Sequence, residues 1–426
     1  MLVVERADAA GGYARPIRHD GYTADLAVSE LPTGVEDELV DGIFAHLGVR
    51  DRCVFEPVDG FYRALLPDLE LDVPLGLEAF AEAHAERFPV DAAGFRRFTG
   101  ICAQVLRDVH GMPLHLPFDR LDEVAARFPT LFRYANATLA EVLDELLTDP
   151  RAKAALAASW PQAGLPPERL SFATVAQGVA LYAGGMVTPR GGLGAVVDAL
   201  ADVLDDRLVL GREAVRIVLA DGRAAGVELE GGERLATRSV VSAGDARRAL
   251  TLLVGTDALP PRLVRRLERL RPSVSAFVLA AAAPDDGALP RLTFLHDESG
   301  ARWLTVSEGV VVVRALAASD DAGDSLAGDL ERLAPGARVL TSLGPADLER
   351  LTGNTGGAAF GWENSPQQTG SRRLPIVTPV EGLFLAGHWA QPGHGAYRAI
   401  LSGMHAARAV LDRDGRGAAI PEFRSS

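Results

Sequence analysis

Hydrophobic and polar positions follow different periods in different parts of the chain. The first 35 residues read as strand and turn. Leu2 to Glu5 is a short apolar run ending in an acid, Gly11 and Gly12 break the chain, and GYTADLAV from Gly21 alternates with period two. From Glu36 to about Ala158 the period becomes helical. VEDELVDGIFAHLG sets Val35, Leu39, Ile43 and Leu47 on one face before Gly48 stops it. LAEVLDELL from Leu139 repeats that logic behind Asn136 and Thr138 as candidate caps. Near Tyr182 the character changes: YAGGMVTPRGG is turn-rich, and GLGAVVDALADVL predicts an amphipathic helix. Short strands follow, with Asp221-Gly222 and Gly231-Gly232 between them as hairpin signals. PRLVRRLERL predicts a helix with arginines on its solvent side. From Ser273 to about Gly361 strands mix with one helix, SLAGDLERLA, and SAFVLAAAAP from Ser275 reads as a buried strand. The chain closes on a strand at GLFLAG, a Pro/Gly turn, the helix AYRAILSGMHAARAVL and a polar last dozen residues that predict a frayed, disordered tail.

No internal repeat or biased linker separates independent units. Strand-rich pieces at the start, middle and end, parted by two dissimilar inserts, predict one domain assembled from discontinuous segments. A length of 426 residues exceeds what one core usually holds, so a second domain is expected. A hydrophobic content of 48% is enough for sizeable cores, yet no window approaches the roughly 18–20 uninterrupted apolar residues of a membrane helix. MLVVERAD fails as a signal peptide because its charges follow its apolar part, and it reads instead as the inner strand of a folded domain. A net charge of −14 argues against nucleic acid as a partner, since neutralising phosphates needs a basic face. It leaves open a peripheral membrane contact through an apolar patch. Cys53 and Cys102 are isolated, which implies neither a disulfide framework nor a zinc site; two buried thiols in a reducing cytoplasm are expected.

Candidate chemistry lies at the two ends of the chain. In a dinucleotide-binding βαβ unit the second strand ends in an acid that hydrogen-bonds ribose hydroxyls, and Glu5 in LVVERADAAGG is placed for that work. A solvated strand end is the plainer alternative. Gly11 and Gly12 let backbone approach a flat or phosphorylated ligand, and Arg15 is near enough in sequence to meet a pyrophosphate. Near the C-terminus, Gly387 ends a buried strand, and Pro392, Gly393 and Gly395 make a tight turn before a helix. The positive end of that helix suits an electron-rich ring edge. His388 and His394 in this turn have the chemistry of a base or hydrogen-bonding partner, with a structural role as the alternative. His110 and His115 lack metal-helix spacing and read as solvated loop residues; Trp362 reads as either a cavity wall or a core residue. Lys153 is the only lysine.

Taken together, ERADAAGGYARPIRHDGYTADLAVSEL resembles the segment after the dinucleotide fingerprint in phytoene desaturase-like and carotenoid isomerase-like flavoproteins of the flavin amine oxidase superfamily. Gly21, Tyr22 and Asp25 match that pattern, while Ala27 stands where the family often has Gly. GGMVTPRGGLGAVVDALADVL is similar to the family's return to its cofactor domain. RLVLGREAVRIVLADGRAAGVELEGGERLATRSVVSAGDA is similar to its β-rich element, and EGLFLAGHWAQPGHGAYRAILSGMHAARAVL to the turn beside its isoalloxazine ring. The resemblance implies an α/β fold, with a discontinuous Rossmann-like FAD-binding domain and a mixed β-sheet plus helical substrate domain. The expected segments are 1–34, 185–255 and 376–415 for the first, and 35–184 and 256–375 for the second, with 416–426 a tail. It also implies FAD held by Glu5, Gly11, Gly12, Arg15, Val215 (through its backbone), Gly387, His388, Pro392, Gly393, His394 and Gly395. The implied reaction is oxidation or isomerisation of an apolar polyene or lipid-like small molecule. A flavin amine oxidase is the rival inside the superfamily; many of those use a lysine near the flavin, and Lys153 lies outside the matching segments. A flavin-free binding protein is the rival outside it.

The ribose acid normally follows the Gly-rich fingerprint by about 20 residues. Glu5 has four residues ahead of it, so the first βα unit of the Rossmann-like domain is expected to be missing from this sequence. Two explanations stay open at this point: a start read at an internal GTG valine codon, or a shortened protein that uses its pocket differently.

Overall fold

The computed structural model describes residues 1–27, 30–33, 37–112, 121–283, 289–298, 300–317 and 323–416. Strands β1 to β7 are Val3–Val4, Pro16–His19, Tyr22–Asp25, Leu31–Pro32, Phe55–Pro57, Tyr62–Leu66 and Leu69–Val73. Strands β8 to β13 are Met186–Pro189, Leu208–Val209, Ala214–Ala220, Arg223–Leu229, Arg234–Ala236 and Val240–Ser242. Strands β14 to β19 are Ser275–Ala282, Leu292–Asp297, Gly300–Ser307, Val310–Ala317, Arg338–Leu343 and Leu383–Leu385.

The largest sheet has seven strands in the order β18-β14-β17-β16-β15-β6-β7. Its neighbours are antiparallel except β15 and β6, which run parallel. Every residue of β14 is buried, which its continuous apolar run demands of a strand covered on both faces. Phe277, Leu279 and Ala281 face a core closed by the helix Gly323–Leu333. Ala276, Val278 and Ala280 face the main core, which the helices Leu77–Arg87, Ala92–Gly111 and Phe172–Ala183 complete. The hairpin signals act locally as their chemistry requires. Asp221 and Gly222 take φ of 51° and 76° between β10 and β11, the two positive angles of a tight hairpin turn. Thr138 caps the helix Leu139–Leu146 in a reciprocal box with Glu141.

Two expectations are corrected. The stretch from Glu36 to Ala158 is not wholly helical: it contains β5, β6 and β7. FYRALLPDLELDV alternates with period two, turning at Pro67-Asp68, so that Leu69, Leu71 and Val73 point inward. Helices on either side of it in sequence mask that short alternation. His110 belongs to the last turn of the helix Ala92–Gly111 rather than to a loop, because the apolar helical pattern continues through Val109; His115 lies outside the described residues. Among the described residues the N-terminal strand is paired along one edge. Strand β1 runs parallel to β9, and β13 runs parallel to β19 in a separate pair. One strand of each pair, β1 and β13, borders one cavity.

Candidate active site

Strands β1 and β13, the final helix and one face of the seven-stranded sheet border a cavity of about 1920 Å³. The register across that sheet explains its floor. Val278, Arg314, Trp303 and Phe294 are successive cross-strand partners on β14, β17, β16 and β15, so their side chains share a face. All four line the cavity.

At one end, Glu5 follows β1 and is fixed by backbone bonds to its partner strand: its N–H donates to the Val209 carbonyl (2.9 Å) and its carbonyl accepts from Arg212 (3.0 Å). One carboxylate oxygen accepts from the Ala7 N–H at 2.8 Å. Gly11 and Gly12 open the next turn at φ of 113° and 55°. A side chain on Gly11 would meet the Arg15 nitrogen at 3.0 Å and Val197 at 3.1 Å, so glycine is required there. Tyr13 follows at once. Its hydroxyl donates to the Gly357 carbonyl (2.6 Å), and its ring sits 6.0 Å from that of His388.

The other segment is the strand-to-helix turn after β19. Gly387 has φ of 80° and would press a side chain onto the Ala243 carbonyl at 3.1 Å. Gly395 caps the helix Ala396–Arg413 without a capping side chain, which leaves the positive helix end facing the turn. His388 and His394 are half-buried, and the buried atoms His388 Nε2 and His394 Nδ1 have no hydrogen-bond partner. Burial, reinforced by the Arg373 cation, holds His388 neutral by pushing its pKa down to about 3. Burial and then Arg398, Arg373 and His388 lower His394 well below the ordinary histidine range.

Arg373 organises this turn from behind. It is fully buried, and its guanidinium donates to the carbonyls of His388 (2.6 Å) and Trp362 (2.9 Å) and to Asn364 Oδ1 (3.2 Å). Arg314 plays the same part in the cavity floor. Its donors reach the carbonyls of Asp25 (2.8 Å), Leu26 (3.1 Å), Ala27 (3.3 Å) and Val312 (3.2 Å) and the Thr305 hydroxyl (2.8 Å), tying the loop after β3 to the sheet. Burial lowers both guanidinium pKa values, to about 9 for Arg373 and about 10 for Arg314.

Of the residues expected at a cofactor, Glu5, Gly11, Gly12, Gly387, His388, His394 and Gly395 line the one cavity. Arg15, Val215, Pro392 and Gly393 do not line it. Arg15 pairs with Asp8 at 3.2 Å. Val215 is the extra residue of a bulge in β10, half-exposed. Pro392 follows a cis peptide bond, and Gly393 lies against Arg373. Trp362 is a core residue, meeting Trp389 edge-on at 4.8 Å.

Sequence reasoning missed Tyr13, Arg314 and Arg373. Tyr13 was signalled by its place directly after two glycines. Arg314 was signalled as the lone charge within VVVVRALA. Arg373 carries no local signal, since its acceptors come from residues 362, 364 and 388. Among the described residues no group of acids, histidines and cysteines can hold a metal ion. The glycine-lined turns, the two unclaimed histidine nitrogens and the uncapped helix end fit the ring and linker of a flavin nucleotide.

Comparisons with known proteins agree with this geometry. The family profile described as flavin containing amine oxidoreductase matches residues 1–411. The hydroxyneurosporene desaturase of Rhodobacter capsulatus is 27% identical, the alignment covering 96% of this chain and 92% of that protein. The lycopene-forming phytoene desaturase of Pseudescherichia vulneris is 25% identical over 65% of this chain and 57% of its own. Among solved structures, cyclohexylamine oxidase from Brevibacterium oxydans superposes with a TM-score of 0.68 at 16% identity, covering 97% of this chain and 94% of that one.

Proposed function

The chain belongs to the flavin-containing amine oxidoreductase family, and on that premise we propose that it binds FAD and oxidises or isomerises an apolar polyene. The observation that carries this reading is the single cavity: Glu5 and the Gly11-Gly12 turn border the same space as the Gly387–Gly395 turn and the apolar sheet floor. In this reading, segments 1–34, 185–255 and 376–415 form the nucleotide-binding domain. Pairs β1–β9 and β13–β19, separate two-stranded sheets in the structure, would both belong to that domain. Segments 35–184 and 256–375 form the substrate domain.

Glu5 would take the ribose hydroxyls, the Gly11-Gly12 turn would admit the linker, and Gly387, His388 and Gly395 would flank the ring. When bound, FAD supplies the two-electron acceptor. The protein's own groups position and desolvate. Val278, Leu292 and Phe294 give the polyene a dry surface, and His388 and His394 stay uncharged hydrogen-bonding groups rather than acids at neutral pH. Amine oxidation has less support, because Lys153 pairs with Asp144 at 2.6 Å and does not line the cavity.

The test is to load the purified chain with FAD, record its visible spectrum, and add a polyene without oxygen. Oxidised-flavin bands that bleach on addition of the polyene, or a changed double-bond geometry in the recovered polyene, are the expected results. A protein that acquires no flavin bands defeats the reading. One that holds flavin and turns over an amine alone converts it to amine oxidation.

We propose, as part of the same reading, a peripheral contact with an anionic lipid surface. No helix of the described residues is long and apolar enough to cross a membrane. Its support is the helix Pro261–Arg269, whose Arg262, Arg265, Arg266 and Arg269 recur at helical spacing around a surface pocket that Arg372 also lines.

A further inference from the structure

Four carboxylates among the described residues line the cavity: Glu5, Glu30, Glu213 and Asp245. Asp245 is spent on backbone, since its oxygens accept from the N–H groups of Arg247 (2.8 Å), Arg248 (3.1 Å) and Thr355 (2.8 Å). Glu5 and Glu213 are half-buried, and Glu5 stands at the nucleotide end. Glu30 differs from all three. It is 2% exposed, one oxygen accepts from Arg291 Nε at 2.8 Å, and the other is buried with no hydrogen-bond partner. A buried acceptor left unclaimed is uncommon in native proteins and calls for a use.

Strands remote in sequence hold that carboxylate in place. Glu30 directly precedes β4, which pairs with β8, and Arg291 directly precedes β15. Arg291 also donates to Thr188 Oγ1 on β8 at 2.6 Å, so one guanidinium ties the carboxylate to both sheets. The helix Phe172–Ala183 and the final helix Ala396–Arg413 both pack against β4. The final helix begins at the Gly387–Gly395 turn, where the reading above sets the flavin ring. Tyr182 links the two places: its phenol lies within electrostatic reach of Glu30 and of Arg398, and Arg398 lies within reach of His394 in that turn. Leu292, next to Arg291, belongs to the apolar surface offered to the polyene.

Other groups lining the cavity are poorly suited to take a proton. Burial raises the pKa of Tyr13, Tyr62 and Tyr182, so these phenols keep their protons. It lowers His388 and His394 until they bind a proton only weakly. We propose that Glu30 is the base that takes the proton a polyene loses when it is oxidised. In that step one carbon of a saturated CH2–CH2 unit gives up a hydrogen with its bonding pair, as hydride, to the flavin. The C–H bond of the neighbouring carbon breaks, its pair becomes the new C=C π bond, and the proton bonds to Glu30 Oε2. Loss of hydride leaves positive charge that the conjugated chain spreads, which makes the neighbouring C–H acidic enough for a carboxylate. A negative charge in a dry cavity also stabilises that positive charge as it develops. The inference rests on the oxidative polyene reading above and adds to it the group that completes the proton balance.

The experiment mixes the FAD-loaded chain without oxygen with neurosporene, a hydrocarbon polyene that keeps a CH2–CH2 unit beside its conjugated run. Two quantities are read: polyene affinity, from its absorption shift on binding, and the rate at which the flavin bands bleach. Glu30→Gln should bind neurosporene within about twofold of the unaltered protein and bleach about 100- to 10,000-fold more slowly, the range that a positioned base supplies. Glu30→Asp, which keeps a carboxylate, should fall between them, and formate should revive Glu30→Ala by about tenfold or more by supplying the missing carboxylate. Circular dichroism checks folding; if Glu30→Gln misfolds, Glu30→Asp and the formate rescue carry the test. Bleaching of Glu30→Gln at the unaltered rate overturns the assignment. So does a loss of affinity in proportion to the loss of rate, which marks a packing role, and so does a Glu30→Ala protein that formate leaves inert. If the unaltered protein neither binds nor oxidises neurosporene, the oxidative reading itself falls and takes the base with it, whereas bleaching indifferent to residue 30 removes the base alone.

Discussion

Single residues in this protein act mainly through what burial does to them. His388 is neutral because the folded state withholds water from its ring, with a pKa near 3 against 6.5 for an exposed histidine. A folded pKa below the unfolded one means the unfolded chain binds the extra proton. Stability is therefore complete above about pH 6.5 and is lost as the pH falls toward 3, by about 1.4 kcal/mol per pH unit for this group. His388→Asn removes that contribution. Urea unfolding at pH 7 and 4.5 should show the unaltered protein losing about 2–3 kcal/mol more than the variant on acidification. Equal losses would mean that His388 is hydrated in the folded protein. Arg373 makes the complementary point: a buried cation is tolerated because backbone carbonyls and Asn364 surround it, and the same contacts shape the turn that carries His388.

Elements form where local pattern and tertiary demand agree. The helix Pro261–Arg269 buries Leu267 and packs Leu263 and Val264 against the core, which its apolar spacing dictates. Its other face is less expected. Arg262, Arg265 and Arg269 are exposed, and no carboxylate pairs with any of them among the described residues. Like charges at this spacing destabilise a helix by a few tenths of a kcal/mol per pair, so the stripe is a cost unless an external anion offsets it. Sedimentation with vesicles should show binding to anionic but not zwitterionic lipid, and loss of that binding in 0.5 M salt. Arg262→Glu with Arg265→Glu should weaken it by about 1 kcal/mol or more per charge. Binding indifferent to salt and to both substitutions would remove the contact. The strands β6 and β7 teach the opposite lesson. Their alternation was visible in FYRALLPDLELDV, but flanking helical periodicity hid it, and its pairing with β15 lies more than 200 residues away in sequence.

At the scale of the whole molecule, one cavity separates two parallel strand pairs that touch it from different segments of the chain. A ligand that bridges such segments stabilises the fold by mass action, about 2.7 kcal/mol at a hundredfold excess over its dissociation constant. FAD in excess should accordingly raise the melting temperature by several degrees and narrow the transition. Unchanged melting in saturating FAD would mean that the cavity does not take the nucleotide.

The two ends of the site were legible in the sequence because glycine pairs, a strand-terminal acid and a Gly/Pro turn are local signals. Each reports a backbone geometry that few residues permit, and the hairpin at Asp221-Gly222 and the cap at Thr138 were readable for the same reason. What those signals leave open is which side chains meet across segments distant in the chain. Tyr13 beside His388, Arg373 behind the turn and Arg314 holding the loop after β3 all depend on contacts between remote segments. Those contacts are set by how the segments pack together, a condition on the assembled molecule that no single segment carries.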